Sequence, residues 1–553
     1  MHHPDPGHEA VEGRYVRLSD GDPEDESDGG REGVGDTASP HHENEIHLLS
    51  HDSLGFSGGV ALVCCDIIGS GIFASPGIVL HWSGSVGASL ALWCTAGIIT
   101  FVGFSCLAEL SVNDPHAGGL FYYYRTTFGG SVAFSWTFIN FTIIVPGSLA
   151  ALAITFAHYL ASALPDWQAG GFEEDADWRL KAVACAALLL VVCLNCMSAA
   201  QGGSVAKGFL TATLSGCLFV ILLGVIFACG GGGGAGEGEG GGPAAVDAFT
   251  NQRNHLSVPA ENFSPSSLFK GTKGPASLGV ALISALWAFS GAMDIASAAE
   301  ELRDAERMLP KVGSTGLAIV STVYVLMNIA YLLVLPAEVI SHAGSENGTE
   351  AIGVVFAKTV AGRWAGLAVT LVVTLSSLGA LNSCLYLSAR QFYATARDGL
   401  FPAVLARTNA KAAPHCAILA TGAWTVALLA ALSSFATLVN YLSAAMWLFY
   451  GLVGVAVIVS RWREQASTRL YTVPGYPVVP VIYVIVCTCL SGCTLVADPI
   501  PCLAALLFVA SAFPIHWVWF VWLPRRRARL RPGGQSVGVR GEHRPPSQYG
   551  PVS

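Results

Sequence analysis

A glycine-rich interruption lies in the middle of the first strongly apolar segment of the chain, in the run DIIGSGIF from Asp66 to Phe73. Glycine permits an unwound backbone, which a lipid-facing helix does not need. Unwound backbone inside a membrane must line a cavity, because lipid cannot satisfy its N–H and C=O groups. At such a break, the N–H groups that start the second half-helix attract an anion, and the C=O groups that end the first attract a cation. This pair of poles fits the carboxylate and the ammonium of an α-amino acid.

The same small residues could instead serve close packing between helices. Two observations favour the broken helix. Pro76 suits the first turn of a new half-helix that begins near Ile72. In addition, Ser290-Gly291 interrupts a second apolar run, ALWAFSGAMDIA, and is followed by Asp294. Paired interruptions at corresponding positions of two halves indicate an inverted-repeat transporter.

The composition predicts the elements that must position these residues. The chain of 553 residues is 52% hydrophobic and only 12% charged, with a mean hydropathy of +0.54. Its apolar residues form blocks of the length that a bilayer-spanning helix requires, about 20 residues. A single soluble core is therefore excluded, and no basic patch indicates a nucleic-acid partner. The sequence predicts an all-α polytopic membrane protein.

Twelve transmembrane helices are predicted, the first ten as two five-helix halves in a 5+5 inverted repeat with helices 1 and 6 broken, followed by two C-terminal helices. They cover residues 57–80, 84–109, 131–164, 180–200, 206–229, 277–299, 312–335, 361–387, 415–433, 437–460, 478–497 and 500–522.

The distribution of basic residues predicts the topology. If the N-terminus is cytoplasmic, most Lys and Arg residues of the short loops lie inside, as the positive-inside rule requires. Residues 1–50 then form a disordered acidic cytoplasmic tail, 51–524 the permease-like membrane domain, and 525–553 a basic cytoplasmic tail. Residues 230–275 form a Gly-rich extracytoplasmic loop, predicted to be a flexible linker. Two Asn-x-Ser/Thr acceptors in outer loops, Asn262 and Asn347, are candidate glycosylation sites.

Several motifs in order resemble one known family, the L-type amino-acid transporters of the amino acid–polyamine–organocation superfamily. The resemblance runs from about residue 57 to 522. It rests on IIGSGIFASPG (67–77), LAEL followed by PHAGGLFYYY (107–124), LNCMS (194–198), AEELRDAERMLPK (299–311) and SARQFYATARDGLFP (388–402).

The resemblance implies the fold of the bacterial leucine transporter and a substrate site at the two breaks. Backbone amides at Gly69, Ser70 and Gly71 would hold the carboxylate, and Ile68 with carbonyls near the second break would hold the ammonium. Trp287 matches an aromatic gate over the side-chain pocket; the alternative is a packing or interfacial tryptophan. The remaining substrate-binding candidates are Phe289, Ser290, Gly291 and Ser376.

Two departures from the family pattern bear on partners and coupling. The outer loop between helices 3 and 4, LPDWQAGGFEEDADWR, has no cysteine, so a disulfide-linked heavy chain is not expected, while a non-covalent partner stays open. Asp66 replaces the family's small neutral residue. Asp66 and Asp294 are candidates for proton or ammonium coupling, and the alternative for Asp66 is a protonated, structural carboxyl.

A charged run at the exit of helix 6 also has two interpretations. Glu300, Arg303 and Arg307 could form an inner gate that pairs with other loops, or a solvated helix with internal pairs at four-residue spacing.

From these features we expect a secondary transporter for neutral, large L-amino acids, either an exchanger or proton-coupled, that works by alternating access. A cationic amino acid or polyamine carrier is the alternative within transport, and an amino-acid sensor on the same fold is the alternative of another class. We expect no enzyme activity, cofactor or metal. We expect the protein to reside in the plasma membrane rather than in an endomembrane, with both termini in the cytoplasm.

Overall fold

The computed structural model describes residues 54–69, 71–114, 116, 118–163, 178–197, 202–231, 258–343, 352–431, 435–463, 469–497 and 499–523. The predictions for both tails, Ser70, Asn347 and the loop between helices 3 and 4 lie outside the described residues, apart from Trp178 and Arg179 at the end of that loop.

The described residues are almost entirely helical. The α-helices are α1 (Phe56–Ile67), α2 (Gly71–Ser83), α3 (Val86–Asn113), α4 (Leu120–Phe128), α5 (Gly130–Ile139), α6 (Val145–Ser162), α7 (Trp178–Met197), α8 (Gly202–Ile226), α9 (Val258–Phe263), α10 (Pro275–Trp287), α11 (Ala305–Val334), α12 (Ala337–Ala343), α13 (Ile352–Arg397), α14 (His415–Ala431), α15 (Phe435–Arg463), α16 (Val478–Ala497) and α17 (Pro499–His516). Short 3₁₀ helices cover Asp294–Glu301 and Ala403–Ala406, and π-helical turns cover Asn140–Ile144, Phe227–Gly231 and Trp517–Trp522.

Nine helices of the described residues are long and apolar enough to cross a bilayer. Shorter apolar helices include α1, α10 and α14. The all-α polytopic class predicted from the sequence is thus confirmed, whereas the count of twelve spans stays a prediction. Below, span 1 means α1 with α2, span 6 means α10 with the 3₁₀ helix Asp294–Glu301, and spans 7, 8 and 10 mean α11, α13 and α15.

The packing between spans favours two related halves. Span 2 (α3) packs on span 7, and span 3 (α5 and α6) packs on span 8. Span 1 packs on span 7, and the corresponding contact of the other half, between span 6 and span 2, is also present. Span 5 (α8) packs on span 8, as span 10 packs on span 3. Contacts that recur when each span is exchanged with the one five places later are those that a 5+5 repeat produces.

Two local expectations, the place of Pro76 in its helix and the end of span 8, are wrong. α2 begins at Gly71, so Pro76 lies inside the helix, beyond the first turn where proline costs no hydrogen bond. Span 8 continues through the predicted loop motif to Arg397, after an interruption at Ala361 and Gly362. The polar residues after position 387 are buried among other helices, which is why polarity alone wrongly predicted a loop there.

The end of the Gly-rich loop is folded, in contrast to the flexible linker expected for all of 230–275. Gly87 N–H donates to Leu268 O at 2.7 Å, and Lys273 N–H donates to Ser83 O at 3.0 Å. Asn262 is buried, and its Nδ2 donates to the carbonyls of Leu332 and Leu335 at 2.7 and 2.9 Å. A glycan needs that nitrogen exposed, so the glycosylation expectation at Asn262 is wrong in this fold.

Candidate functional site

The first helix break is held by hydroxyl groups from two other spans. α1 ends at Ile67, and Ile68 has the non-helical angles φ −80° and ψ 78°. The carbonyls that end a helix lack intrahelical partners and need others when buried. Ser376 Oγ of span 8 donates to Ile68 O at 2.8 Å, and Tyr324 Oη of span 7 lies 2.9 Å from Ile67 O.

The second break lies at the end of α10 and is held by the same tyrosine. After Trp287 the chain forms turns, with a left-handed φ of +92° at Gly291, before the 3₁₀ helix that starts at Asp294. Tyr324 Oη lies 2.9 Å from Ala288 O as well as from Ile67 O. One hydroxyl proton is therefore shared between the carbonyls that end both first half-helices.

Close glycine contacts bring the two breaks together. A methyl group at Gly71 would lie 3.0 Å from Cα and Cβ of Ala288, and a methyl group at Gly291 would lie 2.5 Å from Asp66 Oδ2. The start of α2 thus abuts the end of α10, and the carboxyl at the end of α1 abuts the unwound part of span 6. A methyl group at Gly69 would likewise lie 3.1 Å from side chains of spans 3 and 8.

The aromatic residues at the second break have different environments. Phe289 is buried and packs its ring edge against Tyr324, with centroids 5.0 Å apart. Trp287 is 39% exposed, and its carbonyl accepts a hydrogen bond from Ser290 Oγ. Of these rings, only that of Trp287 is accessible to a molecule that approaches the break.

A cavity of about 60 Å³ adjoins the unwound part of span 6. It is lined by residues of spans 2, 6 and 10 and of α16, among them Thr100, Trp287, Ser290, Gly291, Met446 and Tyr450. Among the described residues, neither Gly69 nor Gly71 lines this cavity. The predicted substrate-binding residues that do line it all belong to span 6.

The C-terminal end of span 6 is tied to span 8 by two ion pairs. Glu300 accepts bidentate hydrogen bonds from Arg397, at 2.8 and 3.2 Å. Glu301 pairs with Arg390 and accepts from Tyr386 Oη at 2.6 Å. Glu301 and Arg390 are only 4% and 3% exposed, so this pair is deeply buried.

The predicted inner-gate residues included Glu300 but not its partner Arg397. Glu300 is in the network, whereas the side chains of Arg303 and Arg307 are exposed. Arg303 contributes its main chain, because its N–H donates to Leu54 O at 3.2 Å while Leu54 N–H donates to Glu301 O. A usable signal was present: Arg390 and Arg397 are seven residues apart, on one face of a helix, opposite two adjacent glutamates.

A histidine lies beside the ion pair of Glu300 with Arg397. His116 Nε2 is 3.2 Å from Arg397 Nη2. Burial lowers the pKa of His116 below its ordinary value, although the nearby Glu300 and Asp398 carboxylates oppose this shift. An uncharged imidazole avoids repulsion with the guanidinium, so His116 accommodates the pair near neutral pH.

A third acidic residue at this end, Glu109, was not predicted as a site residue. Glu109 is fully buried and pairs with Arg461 at 2.6 Å and Arg469 at 2.8 Å. Its Oε2 also accepts from Val473 N–H at 2.7 Å. This cluster fastens span 2 to the end of span 10 and is fully satisfied, which indicates a structural role.

An all-helical membrane bundle with two interrupted helices whose breaks meet in the core defines a class, the secondary transporters built on broken helices. Within that class, this chain belongs to the amino acid permease family, which it matches over residues 54–523. The family is one of permeases rather than enzymes, as the sequence predicted.

Three curated relatives illustrate the match. The chain is 31% identical to the mouse (Mus musculus) Large neutral amino acids transporter small subunit 2, over 91% of this chain and 85% of that protein. It is 28% identical to the mouse b(0,+)-type amino acid transporter 1, over 88% and 92% of the two chains. It is 26% identical to the human (Homo sapiens) Cystine/glutamate transporter, over 84% of each chain. The similarity spans nearly the full membrane domain, so the L-type resemblance is confirmed at family level.

Proposed function

We propose that this protein transports large neutral L-amino acids by alternating access, with the substrate bound where the breaks of spans 1 and 6 meet. The observation that carries this proposal is the contact between the breaks, at Gly71 with Ala288 and at Asp66 with Gly291. The relatives with the highest identity given above are named as transporters of large neutral amino acids, which supports the substrate class.

The carboxylate would bind the N–H groups at the start of α2. The first four N–H groups of any α-helix have no intrahelical partner, and the helix dipole favours an anion there. The residues proposed for this role are Gly69, Ser70 and Gly71. Bare glycines suit it, because a side chain would keep the carboxylate from the backbone.

The ammonium would bind carbonyl oxygens that end α1 and α10. Ile68 O already accepts from Ser376, but a carbonyl oxygen has two lone pairs and can accept a second donor. We therefore assign Ser376 the role of orienting that carbonyl rather than contacting the substrate. Carbonyls near Phe289 and Ser290 complete the proposed ammonium site.

Trp287 is proposed to cover the substrate side chain. Its ring is partly exposed at the break, as a gate must be before the substrate arrives. The ion pairs of Glu300 and Glu301 with span 8 are proposed to be the inner gate, which is closed in this conformation. Opening it toward the cytoplasm requires that these pairs separate.

Uptake into proteoliposomes tests the substrate class. Purified protein is reconstituted with unlabelled leucine inside, and entry of radiolabelled leucine is competed with leucine, phenylalanine, glycine, arginine and spermidine. We expect phenylalanine to compete and arginine and spermidine to fail. If arginine or spermidine outcompetes leucine, the protein is a cationic carrier, and if no amino acid exchanges, the transporter assignment fails in favour of a sensor.

The topology and partner predictions also become proposals here. We propose cytoplasmic termini, residence in the plasma membrane and no disulfide-linked heavy chain, because the loop at 164–179 has no cysteine. Epitope tags at both ends, probed with and without permeabilisation, test the topology and the membrane. A reducible adduct on a non-reducing gel, mapped to residues 164–179, would contradict the partner proposal.

A further inference from the structure

A carboxyl group with one buried oxygen that lacks a hydrogen-bond partner in the described part of the chain lies between the two helix breaks. Asp66 is in the last turn of α1, two residues before Ile68, and its carboxyl rests against the backbone of Gly291. A methyl group at Gly291 would lie 2.5 Å from Oδ2 and 2.8 Å from Cγ. Glycine at position 291 therefore makes the space that this carboxyl occupies.

The surroundings of Asp66 contain no balancing cation among the groups placed around it. Oδ2 is buried without a hydrogen-bond partner in the described part of the chain. Its titratable neighbours are Asp294 of span 6, Cys384 of span 8, Tyr450 of span 10 and the adjacent Cys65. All four are neutral or negative, and Asp294 repels an ionised Asp66.

If Asp66 and Asp294 were both ionised, their carboxylates would repel each other. Proteins relieve such repulsion by letting the two groups share a proton, and the pair then titrates as a unit. The Glu301 carboxylate shows the other solution, because it is buried and pairs with Arg390. Asp66 has no such partner among the described residues.

We propose that Asp66 and Asp294 form a proton-binding site of the transport cycle, and that its proton and the substrate ammonium oppose each other's binding. This inference rests on the proposed function, because the ammonium position adjoins these carboxyls. In the empty protein the pair holds one proton. When the ammonium arrives at the neighbouring carbonyls, its positive charge stabilises both carboxylates, and the proton leaves to water on the side that is open.

Competition between the proton and the substrate determines how the KM for leucine changes with pH. Because proton and substrate compete, lower pH protonates the pair and weakens substrate binding, so the KM for leucine rises as pH falls. For one competing proton, the rise is limited to about tenfold per pH unit. A protonated, purely structural Asp66 would give no such dependence.

Two measurements test the proposal. The first is leucine counterflow in proteoliposomes at equal pH on both sides, from pH 5 to 8. The second is proton release, followed with a pH-indicator dye, when leucine is added to purified protein in weakly buffered detergent solution. We expect the wild type to show a KM that rises toward low pH and to release up to about one proton per leucine bound.

Asp66→Asn should retain counterflow, lose proton release and have a flat KM profile. Asp304→Asn is the matched control, because Asp304 is exposed, outside the membrane core and in a left-handed conformation that asparagine tolerates. It should behave as wild type. Asp294→Asn provides a second variant if Asp66→Asn does not fold, and its KM rise should shift to lower pH because the repelling neighbour is gone.

The outcomes separate the two proposals. Leucine counterflow without proton release, or an unchanged pH profile in both aspartate variants, overturns the proton site and leaves the transporter assignment intact. No leucine counterflow in the wild type overturns the proposed function and this inference with it.

Discussion

The middle of the bundle and the end that carries Glu109 and Glu301 bury acidic side chains in opposite ways. At that end, Glu109 and Glu301 are almost fully buried, and each pairs with arginine. At the midpoint, Asp66 Oδ2 has no partner among the described residues. A paired buried charge holds two elements together, whereas an unpaired carboxyl can exchange a proton or respond to a cation. The paired glutamates hold helices together, whereas Asp66 lies where we propose that the substrate binds.

The largest effect is expected from Gly71→Val. The first methyl alone would meet Ala288 at 3.0 Å, and valine also blocks approach of the carboxylate to the backbone, so leucine uptake should be abolished. Gly208→Val on α8 is the control, because a methyl there meets nothing within 4 Å. Uptake and detergent size-exclusion profiles measure both variants. Normal uptake by Gly71→Val would remove the substrate site from span 1.

A smaller but still large effect, on stability, is expected from Arg390→Met, which breaks the buried pair with Glu301. Breaking a buried ion pair from one side costs about 3–5 kcal/mol, because the remaining charge is left uncompensated. The thermal unfolding midpoint should fall clearly, and the double variant Glu301→Gln/Arg390→Met should recover part of the loss. Arg397→Met breaks the more exposed pair with Glu300 and should cost less. Equal losses in both single variants would erase the distinction between the buried and the exposed pair.

Tyr324→Phe should slow transport by roughly tenfold while lowering stability by about 1–3 kcal/mol, the usual cost of leaving a buried carbonyl unsatisfied. The hydroxyl joins both breaks, so its loss affects their alignment. Tyr331→Phe is the matched control on the same helix, since the Tyr331 hydroxyl has no hydrogen-bond partner in the described part of the chain. Leucine turnover and unfolding midpoints distinguish the two, and identical behaviour would deny Tyr324 its bridging role.

The smallest effect is expected from Trp287→Ala. The ring is partly exposed, so its removal should leave the fold intact, raise the KM for leucine by about tenfold and weaken discrimination among side chains. Trp364→Ala, at a 79% exposed position, is the control. Competition profiles with leucine, phenylalanine and alanine measure the change. If the Trp287→Ala profile matches the wild type, the ring serves only packing.

The breaks could be predicted from the sequence because their signal is local. Gly-Ser-Gly and Ser-Gly interrupt long apolar runs, and two such interruptions in matching places indicate a repeat. Their partners could not be predicted in this way. Tyr324 and Ser376 meet the first break from positions more than 250 residues away, and nothing in their local sequence marks the contact.

Errors arose where polarity was taken as exposure. The polar end of span 8 appeared to be a loop, although Arg390 there is buried against Glu301. Asn262 matched a glycosylation tripeptide, but its side-chain amide donates to the carbonyls of Leu332 and Leu335 and so ties α9 to the C-terminal end of α11. In both places long-range pairing hides polar atoms that a local pattern presents as accessible.

The most direct test of the substrate site is an experimental structure with leucine bound. We predict the leucine carboxylate at the start of α2, within about 3 Å of the backbone nitrogens near Gly71, and the ammonium beside the carbonyls near Phe289. Leucine seated instead in the cavity beside Met446 and Tyr450, with both ends of the molecule away from span 1, would contradict the assignment.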